Sequence, residues 1–403
     1  MNSSPAAPAR WRSVVGALAL TEVVSWGILY YAFGVLVPPM QAELGWSQGL
    51  LGGAFSLALF VAALLAVPVG RWLERHGPRG LMTAGSCVGV LLVWGWSEVE
   101  HPLVFYAVFC ALGFPLASTL YEAAFAALIG FLGSGRRTDV ALLVLTIVAG
   151  LASTVFVPVT QALLAHHDWR ATLRILAVVL AVLTIPLHAL VLPGAPRASI
   201  QATDDFAARA TSAELEPRRL RLVALAFALA TIAGTSLGVY LVPILQEQGH
   251  SAGFAAFAAG LIGVGQVVGR VGFTWLRPRY ALASWSLALF APPALGLLLL
   301  ATAPRVTGPS ASTAAVAVLL FSMSAGAQTL GRAAWTLELF PVASFARANG
   351  VIGRWSLFGR AGAPLALGAA HDLFGTHRPG LVTLALACVL GGACAWFAAQ
   401  RKR

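Results

Sequence analysis

The chain reads as an all-α membrane protein with twelve membrane-spanning helices in two halves of six. Three observations predict it. Of 403 residues, 59% are hydrophobic and only 10% are charged, whereas a soluble domain carries about 25% charged residues. The apolar residues come in long continuous runs without the dyad alternation of a β-barrel, and in lipid that leaves helices to satisfy the backbone. The 41 glycines and 22 prolines agree, since both are more frequent in membrane helices than in soluble ones.

A span needs about 20 mainly apolar residues. Such stretches lie at 14–37, 50–71, 80–97, 102–131, 138–164, 170–192, 221–246, 252–276, 281–302, 312–340, 346–369 and 379–399. Met1 to Arg12 is short and polar, and no small-residue cleavage site follows it, so a retained first helix is expected rather than a removed signal peptide. With the N-terminus inside, the inner segments and adjoining span ends hold eighteen cations, the outer ones four, and the spans four. The positive-inside rule then puts both termini in the cytoplasm. A single lysine (Lys402) among 26 cations suggests a high-GC bacterial genome, hence an inner membrane.

The net charge of +11 does not point to nucleic acid, because the arginines sit in short runs between apolar stretches and act as topology signals. Cys87, Cys110, Cys388 and Cys394 fall in apolar runs without metal-ligand spacing and are expected as small buried side chains. His76, His166, His167, His250, His371 and His377 fall in loops or at helix ends, and no metal or other cofactor is expected. The polar stretch from Pro193 divides the chain into an N-terminal bundle (1–192), a cytoplasmic linker (193–220) and a C-terminal bundle (221–403).

The halves repeat each other. Trp72-Leu73, followed by Arg75 and Arg79, matches Trp275-Leu276, followed by Arg277 and Arg279. Pro158 with His167-Asp168 matches Pro364 with His371-Asp372 at a similar offset. Internal repeats of this kind characterise secondary transporters, whose site lies near the bilayer midplane between the repeats.

The loop after the second span reads Gly70-Arg71-Trp72-Leu73-Glu74-Arg75-His76-Gly77-Pro78-Arg79. It resembles the G-x-x-x-D-R-x-G-R-R/K loop of the major facilitator superfamily, with Glu74 in the acidic position and Pro78 in place of a base. The resemblance implies two six-helix bundles related by pseudo-two-fold symmetry. It also implies a cytoplasmic gate built on Gly70, Glu74, Arg75, Gly77 and Arg79. Tyr30-Tyr31-Ala32-Phe33-Gly34, Glu43-Leu44-Gly45-Trp46-Ser47, Asp168-Trp169-Arg170, Leu241-Val242-Pro243, Gly249-His250-Ser251 and Gly269-Arg270 are similar to the monocarboxylate and oxalate–formate branch. That branch carries an Asp-x-x-x-Arg pair on its eighth helix. Here the pair reads Gln266-x-x-x-Arg270, with the base kept and the acid absent.

Six ionisable residues lie well inside the spans: Glu22, Glu122, Arg270, Arg332, Arg354 and Arg360. Each costs at least ~2.5–3.5 kcal/mol at a helix centre, which makes such residues functional candidates. Glu22, Trp26 and Tyr30 share one helix face, as do Gln266 and Arg270, Ser324, Gln328, Arg332 and Thr336, and Asn349, Ser356 and Arg360. Polar stripes on apolar helices point to a cavity, although a buried acid–base pair locking two helices gives the same pattern. Arg354 lies off its stripe, near the cytoplasmic end, where it can snorkel to the interface.

The acids fall in the first half and the bases in the second. Excess arginine favours an anion held by paired hydrogen bonds. The substrate-binding candidates are Arg360, Arg270, Arg332, Gln266, Gln328, Trp26 and Tyr30, with Glu22 and Glu122 as carriers of a coupling proton. The expected partners are a small molecule, protons and the bilayer, in a monomer. Efflux of amphipathic drugs or cations is the alternative, using the acids and tryptophans. Receptor and enzyme readings lack an output domain and a catalytic motif. Glycine seams on the eighth span (Gly260, Gly263, Gly265, Gly269, Gly272) and the eleventh (Gly350, Gly353, Gly359, Gly362) fit either sliding or tight packing.

Overall fold

The computed structural model describes residues 7–133, 135–194, 216–302, 311–340 and 345–400. Among them run twelve helices. α1 comprises Ala7–Trp26 and Ala32–Leu44, joined by a π-helical turn at Gly27–Tyr31. α2 is Gln48–His76 and α3 is Pro78–Trp96. α4 comprises Pro102–Thr119 and Tyr121–Leu132, and α5 comprises Arg136–Ala149 and Ala152–Leu164. α6 is Trp169–Pro186, ending in a π turn at Leu187–Val191. α7 is Pro217–Glu247, α8 Ala252–Leu276, α9 Leu282–Thr302, α10 Ala311–Leu339, α11 Phe345–Phe374 and α12 Arg378–Ala399.

Ten of these helices are long and apolar enough to cross a membrane. The others are α3, at 19 residues, and α11, which carries Arg347, Arg354 and Arg360. Together they make up the expected all-α membrane fold. Large apolar side chains such as Leu91, Leu103, Leu190 and Leu373 stand outward, at least 71% exposed, as lipid-facing residues do.

Three spans that read as continuous are interrupted. In α1 the π turn inserts a wider loop of hydrogen bonding among Gly27, Ile28, Leu29, Tyr30 and Tyr31. In α4 the backbone becomes extended at Leu120 (φ −93°, ψ −171°). The hydroxyls before that break turn back on their own helix: Ser118 Oγ donates to the Phe114 carbonyl at 2.8 Å and Thr119 Oγ1 to the Pro115 carbonyl at 2.7 Å. Such back-bonding bends helices. In α5 the Leu151 N–H reaches only three residues back, to Val148, at 3.0 Å. Of the expected linker 193–220, residues 195–215 lie outside the described residues, as do Arg197, Arg209, Arg305 and 401–403. α7 opens at Pro217, ahead of the expected 221. Cys388 and Cys394 are buried and Cys87 half-buried, but Cys110 is exposed, against expectation, because its face of α4 turns away from the bundle.

The chain divides into two compact units, residues 1–44 with 57–200 and residues 45–56 with 201–403. The first has a core that includes Val14, Leu18, Leu73, Met82, Ala123, Leu128, Leu145 and Leu192. Here the start of α6 is clipped to the end of α1. Asp168 caps α6 by accepting from the Ala171 N–H at 2.6 Å. The Trp169 indole donates to Glu43 at 2.6 Å and Arg170 Nε to the same carboxylate at 3.0 Å. Arg170 also donates to the Ser97 and Val99 carbonyls at 2.8 and 3.1 Å. Nearby, the hydrogen bonds from Arg174 hold the exposed Glu98 carboxyl below the usual range.

The second unit is centred on Val223, Phe227, Phe273, Trp285, Leu289, Phe290 and Trp335. α8 and α10 touch backbone to backbone. A Cβ at Gly269 would sit 1.8 Å from the Met323 carbonyl oxygen, and one at Gly326 would sit 2.1 Å from that of Gln266. The glycine seam is thus a packing contact at Gly265 and Gly269. Gly272, Gly350 and Gly362 meet nothing within 4 Å.

The start of α2 belongs to this second unit. Asp372 at the end of α11 accepts from the Gln48 and Gly49 N–H groups at 3.0 and 2.8 Å, Tyr240 Oη donates to the Gln48 carbonyl at 2.9 Å, and Ser56 Oγ accepts from the Leu365 N–H at 2.9 Å. Asp372 therefore caps a helix from another part of the chain. Asp372→Ala is expected to cost about 1–2 kcal/mol, read as a lower melting temperature of the detergent-solubilised protein.

Candidate functional site

Each unit holds its own set of the expected residues. In the first, Glu22 on α1 is fully buried, and neither carboxylate oxygen has a hydrogen-bond partner among the described residues. Glu122 lies close enough to repel it, and Trp26, one turn on, acts in the opposite sense by facing the carboxyl with its indole. Trp26 and Tyr30 are both buried. The Trp26 ring stands 5.1 Å from Tyr30, 6.4 Å from Tyr31 and 5.1 Å from Tyr121. Tyr121 was not legible as a member of this cluster, because nothing in its apolar surroundings signals the break that turns it there.

The cluster sits where two helices lose their regular bonding, at the π turn of α1 and the Leu120 break of α4. Glu122 does not lie in mid-helix as expected. It is exposed, in the first turn of the second segment of α4. The positive end of the helix dipole favours an acidic side chain or a bound anion there.

In the second unit, Arg270 is only 3% exposed, and its Nη2 donates to Gln266 Oε1 at 3.2 Å. Arg332 and Arg360 are half-buried on α10 and α11. Arg332 lies beside Gly353 of α11, with Nη1 at 3.9 Å from where a Cβ would be. Arg354 is exposed, as a snorkelling residue is.

Gln328 faces α9. Its amide donates to the Leu289 carbonyl at 2.6 Å, and Ser324 Oγ donates to the same oxygen. The cause lies four residues on: Pro293 has no N–H to give Leu289, so that carbonyl needs a partner from outside its helix. Thr336 Oγ1 is likewise spent on its own helix, donating to the Arg332 carbonyl at 2.8 Å. The polar stripe of α10 is thus in large part a packing device.

The loop expected to form a gate is sharply built. α2 runs on to His76, and Gly77 takes a positive φ of 77°, which a residue with a Cβ rarely adopts. Pro78 then opens α3. Arg79 Nε donates to the Leu192 carbonyl at 2.8 Å, tying the loop to the end of α6. Gly70 has open space where a side chain would be. Glu74 and Arg75 are exposed, and neither is in an ion pair among the described residues. On the equivalent loop of the second unit, Arg277 pairs with Glu338 and Arg279 lies 4.4 Å over the Trp275 ring.

Known proteins place this arrangement. The profile of the Major Facilitator Superfamily matches residues 18–364. No curated protein matches the chain by sequence. The fold is similar to that of a bacterial homologue of the human lysosomal transporter Spinster, solved inward-facing and unoccupied, with TM-score 0.76 and 15% identity over 99% of this chain and 98% of that one. It is similar also to the nucleoside transporter NupG, with TM-score 0.70 and 15% identity over 96% of this chain and 100% of that one. At such identities the likeness is one of fold. With the profile matched over most of its length and that fold shared nearly end to end, this chain belongs to the Major Facilitator Superfamily and is a multi-pass membrane transporter rather than an enzyme.

Proposed function

We propose that the protein is a secondary transporter of a small organic anion, a carboxylate, moved by alternating access in a bacterial inner membrane. Arg360, with Arg270 or Arg332, holds the carboxylate, and Glu22 or Glu122 carries a coupling proton. The protein works as a monomer with both termini in the cytoplasm, and Gly70 to Arg79 forms the cytoplasmic gate. Its place is beside the monocarboxylate and oxalate–formate branch.

One observation carries this reading. A guanidinium only 3% exposed is kept inside an apolar bundle, and the Gln266 amide oxygen is one of the groups it donates to. An arginine in that setting is retained at a cost of several kcal/mol on the order given by insertion scales, and a planar anion is the ligand its fork fits. The interrupted α4 adds to it, since half-helix N-termini serve anionic groups in transporters.

A second reading is favoured by Trp26, Tyr30, Tyr31 and Tyr121, an aromatic cluster of edge-on and tilted rings that suits a ring-bearing solute, either a nucleoside or an amphipathic cation. A thermal-shift screen of purified protein separates the two. A short carboxylate at about 100 times its Kd is expected to stabilise the fold by about 2.7 kcal/mol, with the shift lost in Arg360→Ala and Arg270→Ala. Stabilisation by nucleosides or cationic dyes, with none by carboxylates, overturns the anion reading.

A further inference from the structure

Where α7 and α11 end and α12 begins, three side chains that sequence spacing does not connect come together. One ligand atom each from Glu247, His371 and His377 lies within 4.8 Å of the other two. The imidazole rings stand 4.3 Å apart, and His371 Nε2 lies 3.8 Å from the Glu247 oxygen that His377 Nδ1 also meets. Glu247 further accepts from Thr376 Oγ1 at 2.6 Å and from the His377 N–H at 3.2 Å, which fixes its carboxylate in place.

The His377 ring is 2% exposed, its Nε2 faces Gln48 Oε1 at 2.7 Å, and its Nδ1 faces the Glu247 carboxylate. An amide oxygen and an ionised carboxylate only accept, so the ring as placed donates from both nitrogens. A cation on Nδ1 takes the place of one proton and leaves Nε2–H on Gln48. That is the outer hydrogen bond metal-bound histidines make, and it sets their tautomer.

His371 Nδ1 is buried without a hydrogen-bond partner among the described residues, 3.8 Å from Asp372 Oδ1. Asp372 is engaged with the Gln48 and Gly49 amides and is no ligand. Arg378 lines the same small cleft as Glu247 and His377, together with Ile244, Gln248 and Leu381.

We propose that Glu247, His371 and His377 form a binding site for a Zn2+-class transition-metal ion, with water in the fourth position. Two imidazoles and one carboxylate match the ligand preference of Zn2+, whereas Ca2+ and Mg2+ take six or more oxygens. A tetrahedral ion with bonds of about 2.0–2.2 Å holds its ligand atoms about 3.3–3.6 Å apart, so His371 Nε2, now 3.8 Å from the Glu247 oxygen, moves slightly inward while the His377–Glu247 contact opens to admit the ion. The His371 side chain, 22% exposed, has room to swing inward. Occupancy ties the last turns of α7 and α11 to the first turn of α12.

The test uses chelator-stripped, purified full-length protein in detergent. Calorimetric titration with ZnCl2 is expected to show one saturable site per chain, and ZnCl2 but not MgCl2 to raise the melting temperature. His371→Ala, which breaks no hydrogen bond of the fold, and Glu247→Gln are expected to weaken Zn2+ by at least about tenfold. His167→Ala, at another helix end, should not. Affinity falls between pH 7.5 and 5.5 as protons compete for the imidazoles. No saturable Zn2+ binding by the wild type, or equal affinity in His371→Ala and wild type, overturns the site.

Discussion

Gly269→Leu is expected to yield little folded protein, and what is recovered should melt about 4 °C lower or more, from a loss of about 3 kcal/mol or more. The reason is backbone, not side chain. At Gly269 the first carbon of any side chain meets the Met323 carbonyl oxygen at 1.8 Å and the carbonyl carbon at 2.6 Å. No rotamer relieves a clash at Cβ, so α8 and α10 have to separate along their length. In lipid those helices are held by close packing rather than by exclusion of water, and separation forfeits that contact. Even Gly269→Ala should be felt. Gly272→Leu is the control, three residues along the same helix, where nothing lies within 4 Å. Fluorescence-detected size exclusion and a melting curve on the three variants decide the matter. Equal behaviour of Gly269→Leu and Gly272→Leu would show the contact to be loose.

Glu22→Leu should do the opposite and raise the melting temperature. Glu22 is fully buried, neither oxygen has a hydrogen-bond partner among the described residues, and the nearby Glu122 disfavours a charge on it. Leucine fills a similar volume and removes the cost of burying an unsatisfied polar group, about 1–3 kcal/mol. Glu122→Leu, on an exposed residue, should change stability by less than about 0.5 kcal/mol. A residue that weakens its own fold is retained for use, and if Glu22 carries the coupling proton, Glu22→Leu also flattens the pH dependence of ligand-induced stabilisation. A lower melting temperature would mean that the carboxyl is a structural bond, and its part in proton carriage would fall.

Much of the fold is legible in the chain because lipid imposes one rule on every span. Long apolar runs mark the helices, and all twelve expected stretches coincide with described helices. What is not legible depends on partners far along the chain. The break at Leu120 sits in an apolar run with no proline or glycine at the break itself, and it is stabilised by hydroxyls turned back on the preceding turn.

The face of Gln328 was readable, but not its target, because the orphaned carbonyl belongs to another helix and is orphaned by Pro293. The buried place of Arg270 was readable from its apolar surroundings, and so was the Gln266 beside it, one turn away. The gathering of Glu247, His371 and His377 was not, since all three lie beyond the ends of the apolar runs that mark the spans.

The shared carbonyl at Leu289 has a consequence for how this chain can drift. Position 293 can regain a backbone amide only by making the donors at 324 and 328 redundant, and those two can lose their polar atoms only once 293 ceases to be an imino acid. In relatives the three sites should therefore change hands together, as a single inherited trait spread over two helices.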